Sequence, residues 1–441
     1  MESDENMGPD QTRVAIVGLG YIGLPTAVAF GRTHRGTVGY DIDETRIAEL
    51  NADRDRNGDV SSTALSAAEV AYSADPQILA AANCYLMAVP TPLGPEHEPD
   101  LSAVIAATRT IGAHLAVGDL VVVESTVYPG VTENLVGPLL ATVSGLSVAT
   151  DFQLGFAPER INPGDAEHAL ERVVKVVSGT DAATTERVAA LYAPFVSAGV
   201  YRAASVATAE MAKLVENTQR DLNIALMNEV ALVCDRLGLR TRDVLDAART
   251  KWNFLDFEPG LVGGHCIGVD PYYLTAAAQR LGYHPEVILA GRRINDHIGT
   301  YVAQRTIKLL TAAGVPLGRD GGARVGILGA TFKANFPDLR NSRVRDIVDE
   351  LREFGVEPLI HDPWARDAKT LARWGVTRST WEELAAPGTL DALIIAVKHD
   401  VFVQRAPSEL LAGLKPDGVV IDVKSILDPA SLPKGLTYWS L

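Results

Sequence analysis

The amino-acid sequence predicts an α/β protein in which two doubly wound parallel-sheet domains are joined by a central helical domain. Short apolar runs rich in β-branched residues alternate with helical stretches in the first and last parts of the 441-residue chain. This alternation is typical of buried parallel strands joined by crossover helices. The segment between these regions carries long runs of helix formers with apolar residues at helical spacing. We therefore expect three domains, at residues 1–203, 204–314 and 315–441.

The first predicted strand, residues 13–17, leads directly into the glycine-rich loop Gly18–Gly23 and then into a helix at about 24–32. A GxGxxG sequence in this context indicates a Rossmann-type dinucleotide site, because its glycines let backbone N–H groups approach a pyrophosphate. The second strand, 37–40, ends in Asp41, where such domains bind the ribose hydroxyls. A carboxylate there repels a 2′-phosphate, so the sequence predicts NAD rather than NADP. The alternative is a glycine-rich turn that binds no ligand.

Two further strands of the first domain are followed by hydroxyl-bearing residues. Residues 84–89 precede Pro90 and Thr91, and residues 120–124 precede Thr126. Ligands of open α/β sheets lie beyond the carboxyl ends of the strands, so we expect both threonines to face cofactor or substrate. The alternative is that either hydroxyl caps the turn or helix that follows it.

A later loop of the first domain, residues 155–164, contains the adjacent residues Glu159 and Arg160. A Glu–Arg pair in a loop is usually a surface feature. Because this loop follows a strand of the first domain, an active-site loop is the competing interpretation.

The helix predicted at about 205–237 carries Glu210, Lys213 and Asn217 at a spacing that places them on one face. This face is either a solvated charged stripe or a lysine and an amide that project into a cleft. The sequence alone leaves both interpretations open. Further helices are predicted at about 272–281 and 286–310.

Residues 258–271 are predicted to form a loop in which Cys266 lies among four glycines, with Asp270 four residues after the cysteine. Glycine lets the backbone approach a ligand and adopt positive φ, so such a loop can present a thiol to a substrate carbon. A nucleophilic thiol also needs access and a neighbour that handles protons. The alternative is a glycine-rich turn leading into a helix, with Asp270 as the N-cap and Pro271 at the first helical position.

The last domain repeats the strand–helix pattern but lacks the complete glycine fingerprint in its first turn, Gly329–Lys333. We therefore predict a nucleotide-binding domain with different chemistry. Lys333 and Arg340 would supply positive charge for a phosphate. The strands are predicted at 324–329, 357–361, 392–397 and 418–422.

Composition and charge exclude several classes of protein. The formal charge of −15 argues against nucleic acid or an anionic membrane as the main partner. The cysteines Cys84, Cys234 and Cys266 show neither disulfide nor metal-ligand spacing, which predicts a reducing compartment and no metal site. No run approaches the ~18 apolar residues of a membrane span. The first ten residues lack the apolar core of a secretory signal. We expect a cytoplasmic protein.

Six ordered motifs between residues 12 and 435 resemble those of the UDP-glucose/GDP-mannose dehydrogenase family. They are GLGYIGL, VPTP, STVYPG, APERINPG, the Lys213–Asn217 helix with the Cys266 loop, and FKANFPDLRNS. The resemblance implies a four-electron oxidation of the C6 alcohol of a nucleotide sugar to a carboxylate, with two NAD⁺ and no metal. It also implies a UDP-sugar substrate and a homodimer, because the family pairs through the central helices. The apolar character of the helix at 205–237, greater than a linker in a monomer requires, favours the same pairing.

The resemblance assigns roles to residues at the matching motif positions. Cys266 is expected to capture the aldehyde as a thiohemiacetal that becomes a thioester, and Lys213 to stabilise oxyanion charge or assist proton transfer. Whether Lys213 or another group is the general base stays open. The implied catalytic residues are Cys266, Lys213, Asn217, Asp270, Glu159 and Thr126. Cofactor contacts are expected from Gly18, Gly20, Tyr21, Ile22, Gly23, Asp41, Arg46, Pro90, Thr91, Thr126 and Arg340. Substrate contacts are expected from Glu159, Arg160, Lys213, Asn217, Phe257, Gly260, Gly263, Arg292, Phe332 and Lys333. For Arg292 the alternative is an ion pair on a helix surface.

Two departures near the cysteine indicate a branch of the family. UDP-glucose members usually carry Ser before the cysteine and Lys before the aspartate, whereas this chain has His265 and Val269. Gly268 and Val269 leave a smaller, less charged wall with room for an N-acetyl group, so the chain resembles the UDP-N-acetylhexosamine (UDP-GlcNAc/UDP-GalNAc) 6-dehydrogenase branch. The alternatives are UDP-glucose or UDP-N-acetylmannosamine with the same chemistry, and a binding or sensor protein without turnover. The sequence leaves the C4 configuration of the hexose open.

Overall fold

The computed structural model describes residues 12–161, 167–318, 322–365 and 368–441. Parts of three predicted features lie outside the described residues: the first ten residues, the end of the APERINPG motif at 162–164, and residues 319–321 of the domain predicted at 315–441. No described helix combines the length and the hydropathy needed to cross a membrane.

The regular elements of the described residues alternate as the sequence predicts. The strands are β1 Val14–Val17, β2 Thr37–Tyr40, β3 Val70–Ser73, β4 Cys84–Met87, β5 Leu120–Val123, β6 Gln153–Phe156, β7 Lys175–Gly179, β8 Val200–Arg202, β9 Val325–Leu328, β10 Leu359–His361, β11 Leu390–Ile395, β12 Leu414–Asp422 and β13 Thr437–Ser440. The α-helices are α1 Gly23–Thr33, α2 Glu44–Leu50, α3 Ser62–Ala67, α4 Ser102–Gly112, α5 Gly137–Ser144, α6 Ala182–Tyr192, α7 Val206–Leu237, α8 Thr241–Arg249, α9 Asp270–Arg280, α10 Glu286–Ala312, α11 Val344–Glu353, α12 Ala368–Arg373, α13 Trp381–Ala385, α14 Asp400–Val403 and α15 Pro407–Leu410. A π-helical turn, Thr132–Val136, directly precedes α5.

The first sheet has the strand order β3-β2-β1-β4-β5-β6-β7-β8, parallel except where β7 runs antiparallel to β6. Strands β1, β4 and β5 are buried along their whole length and carry almost only apolar residues. Such continuous burial is expected where helices cover both faces of a parallel sheet. The strand order reverses between β1 and β4, so ligands of this sheet are expected beyond the carboxyl ends of these strands. The predicted Rossmann-type sheet is confirmed.

The second sheet has the order β10-β9-β11-β12-β13 and is parallel throughout. This is the other common doubly wound arrangement, with its reversal between β9 and β11. The strand predicted at 357–361 begins at Leu359, because Pro358 has no N–H to donate to a ladder. The second predicted sheet is therefore also confirmed.

The chain divides into two compact units, Met1–Glu216 with Tyr272–Tyr283 and Asn217–Pro271 with His284–Leu441. In the second unit, helices α7 and α10 pack closely. A Cβ at Gly291 of α10 would lie 2.4 Å from a methyl group of Leu222 on α7. Residues of both helices share one buried core with β9, including Ala231, Ile298 and Ile327. The part of α7 after Glu216 and helix α10 thus pack against the second sheet.

Candidate active site

The glycine-rich loop of the first unit allows close backbone approach. Gly18 has a φ of +94°, and a Cβ there would lie 2.7 Å from the carbonyl oxygen of Ala88. A Cβ at Gly23 would lie 1.8 Å from the carbonyl oxygen of Gly18. A Cβ at Gly20 would meet open space. Packing therefore requires the first and third glycines, and Gly20 leaves room for a ligand at the N-terminus of α1.

Asp41 and Arg46 brace this loop from the end of β2 and from α2. The Asp41 carboxylate accepts hydrogen bonds from the backbone N–H groups of Leu19 at 2.8 Å and Asp43 at 3.0 Å. Arg46 is buried, donates to the Leu19 carbonyl at 3.0 Å and pairs with Asp55 at 2.7 Å. A carboxylate has about four lone-pair sites, so Asp41 can still accept from ribose hydroxyls. The open glycine at a helix N-terminus and this acid together fit a dinucleotide.

The loops after β4 and β5 leave the sheet at the same edge, because these strands pair in parallel. The Ser125 hydroxyl donates to the Val89 carbonyl at 2.8 Å and ties the two loops together. Of the predicted contact residues here, Pro90 is exposed and Thr91 and Thr126 are half-buried. Tyr21 and Ile22 of the glycine-rich loop are half-buried as well. All five keep surface on which a ligand can bind.

Glu159 is buried and belongs to a polar network that the sequence interpretation missed. Its Oε1 accepts from the backbone N–H groups of Arg160 at 2.7 Å and Ile161 at 2.8 Å. Its Oε2 accepts from Lys175 Nζ at 3.0 Å, and the same Nζ lies 3.0 Å from Glu124 Oε1. Lys175, Glu124 and Glu159 are each at most 5% exposed. One buried ammonium is therefore shared by two buried carboxylates.

Burial and charge act differently on the three groups. For Glu159, burial is outweighed by the Lys175 charge and by the hydrogen bonds it accepts, so its pKa is lowered. For Glu124, burial prevails over Lys175 and the pKa is raised. Burial opposes the Lys175 charge, but both carboxylates together raise the pKa of this ammonium. Glu159 and Lys175 are consequently ionised at neutral pH.

Arg160 forms ion pairs, although not with its neighbour Glu159. Its guanidinium lies 2.8 Å from the Glu216 carboxylate, and it donates to the Val174 carbonyl at 2.7 Å. The sequence analysis considered an ion pair between Glu159 and Arg160 at the surface. In the structure Glu159 is buried and pairs with Lys175, whereas Arg160 pairs with Glu216.

The predicted polar face of α7 is buried rather than solvated at Glu210 and Lys213. Glu210 accepts hydrogen bonds from the backbone N–H groups of Gly130 at 2.6 Å and Thr132 at 2.9 Å. It thereby holds the start of the segment that contains the π-helical turn. The solvated-stripe interpretation fails for both residues. Lys213 is only 7% exposed, so its ammonium acts in a low-dielectric environment.

The cysteine loop of the second unit is anchored to α7 at its beginning. Asn228 donates to the Gly260 carbonyl at 3.1 Å and accepts from the Gly260 N–H at 2.8 Å. Asn228 also donates to Asn295 of α10 at 2.8 Å. Lys424 donates to the carbonyl of Pro259 at 2.7 Å. Gly260 is thus fixed through both of its backbone polar groups.

Cys266 lies on the exposed side of the loop. Its carbonyl accepts from the N–H groups of Val269 at 3.1 Å and Asp270 at 2.8 Å, in the turn that leads into α9. Asp270 is buried and is the first residue of α9, and its carboxylate accepts from the Asn217 side chain at 2.5 Å. The helix-start alternative is therefore real, but it coexists with a side-chain hydrogen bond between two predicted site residues. Cys84 and Cys234 are buried.

The glycines beside Cys266 pack against the first turn of the second sheet. A Cβ at Gly263 would lie 2.4 Å from the Asn341 carbonyl oxygen, and one at Gly264 would lie 2.8 Å from the Phe332 ring. Gly264 also has a φ of +87°, which favours glycine. The second unit thus brings the cysteine loop, Asn217, Asp270 and Phe332 together.

The predicted cations of the last domain lie on the same turn. Arg340 is half-exposed and donates from two nitrogens to the Asp338 carboxylate, at 3.0 and 3.1 Å. The Lys333 ammonium lies 5.8 Å from the centre of the Phe336 ring. Near Cys266, the His265 ring packs edge-on against Phe332, and burial followed by the Arg340 charge lowers the pKa of this histidine.

The acid after β10 differs in role from the acid after β2. Asp362 is fully buried and accepts from the N–H groups of Ala330 at 2.6 Å and Thr331 at 2.9 Å, and from His399 at 3.1 Å. Burial raises its pKa, but His399 and the two N–H groups lower it to about 2. Asp362 therefore fixes the first turn of the second sheet through two of its backbone N–H groups.

Two predicted substrate contacts lie elsewhere in the second unit. Arg292 is 1% exposed and pairs with Asp221 at 2.5 Å and with Asp296. The sequence left an ion pair on a helix surface as the alternative for Arg292. The structure shows ion pairs, but they are buried. Phe257 is half-buried in the segment before Gly260.

Sequence reasoning missed Lys175 and Asn228, and only Lys175 has a recognisable sequence signal. Lys175 is a single cation in the otherwise apolar run VVKVVSG, and a fully buried lysine requires a counter-ion. Asn228 is an amide on a mostly apolar helix and gave no distinctive signal. Among the described residues, no group of three or more His, Cys, Asp or Glu side chains could hold a metal ion.

The fold and this site define an NAD-dependent dehydrogenase that carries a second nucleotide-type sheet and an exposed cysteine in a glycine-rich loop. Comparison with known families identifies it further. Residues 12–196 match the NAD binding domain, residues 207–297 the central domain and residues 326–429 the UDP binding domain of the UDP-glucose/GDP-mannose dehydrogenase family. The chain belongs to this family.

Similar proteins cover nearly the whole chain. It is 46% identical to a UDP-N-acetyl-D-glucosamine 6-dehydrogenase of Pseudomonas aeruginosa, over 94% of this chain and 97% of the relative. It is 45% identical to protein CapL of Staphylococcus aureus, over 97% of this chain and 99% of the relative. The solved structure of a UDP-D-ManNAc dehydrogenase from Pyrococcus horikoshii matches with a TM-score of 0.87 and 30% identity, over 97% and 98% of the two chains.

Proposed function

We propose that this protein oxidises the C6 alcohol of a UDP-N-acetylhexosamine to the uronate in a four-electron reaction. The observation that carries the proposal is the exposed thiol of Cys266, held in a glycine-rich loop beside the Asn217–Asp270 hydrogen bond. The 46% identical relative from Pseudomonas aeruginosa, named for UDP-N-acetyl-D-glucosamine, supports the substrate class. Gly268 and Val269, which follow Cys266 in the sequence, carry no charge and little bulk, and this supports a substrate with an acetamido group.

The proposed reaction consumes one water and two NAD⁺ per sugar and yields the carboxylate, two NADH and three protons. NAD⁺ supplies the hydride acceptor for each oxidation. The Cys266 sulfur bonds to C6 of the aldehyde, which retains this reactive carbon between the two oxidations. Water then forms a bond to C6, the C–S bond breaks, and the Cys266 thiolate leaves.

We assign a separate catalytic role to each of the residues proposed to act on the reacting carbon. Lys213 and Asn217 stabilise negative charge that develops on the C6 oxygen. Thr126 orients the reacting hydroxyl, and Glu159 holds the hydrolytic water and accepts its proton. Asp270 holds the amide of Asn217 through its carboxylate.

Nucleotide and sugar contacts are proposed for the loops described above. In the first unit, NAD contacts come from the glycine-rich loop, Asp41, Arg46 and the loops that carry Thr91 and Thr126. In the second unit, Phe332 and Lys333 contact the UDP-sugar together with the backbone of Gly260 and Gly263. The further proposed contacts are Arg160, Phe257, Arg292 and Arg340.

We also propose the three-domain division at 1–203, 204–314 and 315–441, a homodimer through the central helices, and a cytoplasmic location. The dimer is supported by Leu226, Val233 and Leu237 of α7, which are 50–66% exposed and lie on one helix face. The cytoplasmic location is supported by three cysteines that form no disulfide.

The test is the number of NADH formed per sugar, with UDP-GlcNAc, UDP-GalNAc, UDP-ManNAc and UDP-glucose offered separately. We expect two NADH per N-acetylhexosamine and little from UDP-glucose. Cys266→Ser should lower turnover by at least about 10³-fold, whereas Cys234→Ser, a buried thiol on α7, serves as the matched control. Turnover of UDP-glucose alone would contradict the substrate class, and no NADH from any sugar would contradict the activity.

UDP-N-acetylmannosamine is the second candidate substrate. The UDP-D-ManNAc dehydrogenase from Pyrococcus horikoshii has the same fold over nearly the whole chain. The same assay distinguishes the two, because the second candidate requires UDP-ManNAc to be the best of the four sugars.

A further inference from the structure

We propose that Lys175 is a positioning residue for the Glu159 carboxylate in thioester hydrolysis, and that Glu124 competes with Glu159 for the Lys175 ammonium. The inference rests on the proposed function, because it takes Glu159 as the acceptor of the proton from the hydrolytic water. It adds two residues that make no contact with the substrate in this scheme but control the group that does.

The geometry fixes Glu159 on both carboxylate oxygens. Oε1 receives two backbone N–H groups, from Arg160 and Ile161, and Oε2 receives Lys175 Nζ at 3.0 Å. Each oxygen has two lone pairs, so Oε2 keeps one for a water molecule. A carboxylate held this way presents its remaining lone pair in one direction, which is what proton transfer to a fixed base requires.

Glu124 limits how strongly Lys175 acts on Glu159. The Nζ atom lies 3.0 Å from Glu124 Oε1, and Tyr192 donates its hydroxyl to the same oxygen at 2.7 Å. Glu124 Oε2 is buried and has no hydrogen-bond partner within the described residues. A buried carboxylate with an unsatisfied oxygen is a poor place for full negative charge. When Glu124 is neutral, Lys175 pairs with Glu159 alone.

The other titratable groups near this network are neutral or paired elsewhere. Tyr192 of α6 and Cys84 of β4 are fully buried, and burial raises both pKa values, that of Cys84 to about 12. Arg160 is engaged with Glu216. The ionisation of Glu159 is therefore governed by Lys175 and Glu124.

In the hydrolytic step the water oxygen bonds to the thioester carbon and one water proton passes to Glu159. The C–S bond then breaks and its electron pair leaves with the Cys266 sulfur. Glu159 returns the proton to solvent. Neither hydride transfer uses Glu159, so changes at Lys175 or Glu124 should act on hydrolysis and spare the oxidations.

The experiment uses the full-length chain with Lys175→Met, Lys175→Arg and Glu124→Gln. NADH and the acid-quenched sugar adduct on Cys266 are followed from about pH 3 to about pH 10 after mixing with NAD⁺ and the best UDP-sugar, so that the range includes the lowered pKa of Glu159. In Lys175→Met the loss of the ammonium raises the pKa that governs hydrolysis. Hydrolysis at pH 7 should then slow by about tenfold or more, the adduct should accumulate, and the first NADH should form at the wild-type rate.

Two further variants keep the inference falsifiable if Lys175→Met does not fold. Lys175→Arg should restore most of the hydrolysis rate, because a cation remains between the carboxylates. Glu124→Gln removes the competitor, so its hydrolysis profile should shift to lower pH. The matched control is Asp119→Asn, a buried carboxylate just before the opposite end of β5, which should leave the profile unchanged.

Equal loss of oxidation and hydrolysis with an unshifted pH profile would overturn the inference and leave a structural role only. If wild-type protein forms no NADH from any sugar, the proposed function fails instead. In that case a carbon-13 titration of Glu159, assigned with Glu159→Gln, still decides whether Glu124 competes with Glu159 for the Lys175 ammonium. The Glu159 pKa must fall in Glu124→Gln, and an unchanged value overturns the inference.

Discussion

At the scale of single residues, the cofactor site depends on which backbone positions accept a side chain. Gly18 and Gly20 lie two residues apart in one loop. A Cβ at Gly18 would meet the Ala88 carbonyl at a positive φ, whereas a Cβ at Gly20 would enter open space. The same substitution should therefore have different effects at the two positions.

We predict that Gly18→Ala lowers the free energy of unfolding by about 1 kcal/mol or more, because alanine is strained at this φ. Gly20→Ala should unfold at the wild-type temperature but bind NAD about tenfold more weakly, because its methyl group occupies the space that the backbone of the loop leaves for a pyrophosphate. Thermal unfolding and calorimetric titration with NAD measure the two effects. Equal losses of stability in both variants would contradict this interpretation.

The contacts that sequence analysis missed were missed for one physical reason: they join residues that are distant in the sequence. Glu159 was singled out as a site residue, but its partner Lys175 comes from another strand, 16 positions along the chain. Asn228 reaches Gly260 across 32 positions. Local spacing predicts which residues share a helix face or a loop, but contacts of this kind depend on how the elements pack.

At the scale of elements, the cysteine loop is held by α7, which lies two helices before α9 in the sequence. Asn228 of α7 satisfies both the N–H and the C=O of Gly260, and both residues are buried. Buried backbone groups that lose their partners are costly. Asn228 is therefore the residue through which α7 positions the start of the loop.

We predict that Asn228→Ala destabilises the second unit by about 1–3 kcal/mol and lowers kcat, while NAD affinity stays unchanged. Urea unfolding, steady-state kinetics and NAD titration test the three parts. Asn223→Ala is the matched control, since within the described part of the chain the Asn223 side chain donates to the Gln219 carbonyl one turn earlier on the same helix and to no other group. Unchanged kcat in Asn228→Ala would remove this residue from the positioning of Cys266.

The elements themselves were predictable to different degrees. Strands β1, β4 and β5 are continuous apolar runs, which is the sequence signature of a central parallel strand. The edge strand β3 and the three-residue strand β8 are partly exposed and mixed in composition, so no run marked them. The central strands of the sheet can thus be predicted from the sequence, whereas its edge strands cannot.

At the scale of the whole molecule, α7 carries an apolar face that is exposed to solvent in a single chain. Leu226, Val233 and Leu237 recur at i, i+7 and i+11 and are 53%, 50% and 66% exposed. Residues at these positions share one helix face. A second chain that covers this face would remove the apolar surface from water.

We predict that the protein has twice its chain mass of 47.0 kDa in solution. Leu226→Glu combined with Val233→Glu should shift it to the mass of one chain, because two charges would have to be buried at the interface. Val117→Glu, at an apolar residue of the first unit that is 70% exposed, should remain dimeric. Light scattering after gel filtration distinguishes the two masses, and a wild-type monomer would refute the dimer.

The position of Asp41 has a consequence for attempts to change the coenzyme. Its carboxylate accepts the N–H of Leu19, inside the loop that we propose binds the pyrophosphate. Replacing this acid to admit a 2′-phosphate would also take the acceptor from that N–H and release the loop from β2. Coenzyme preference and the conformation of the loop therefore depend on the same side chain. A redesign for NADP has to supply a new hydrogen-bond acceptor for the Leu19 N–H as well as a cation for the phosphate.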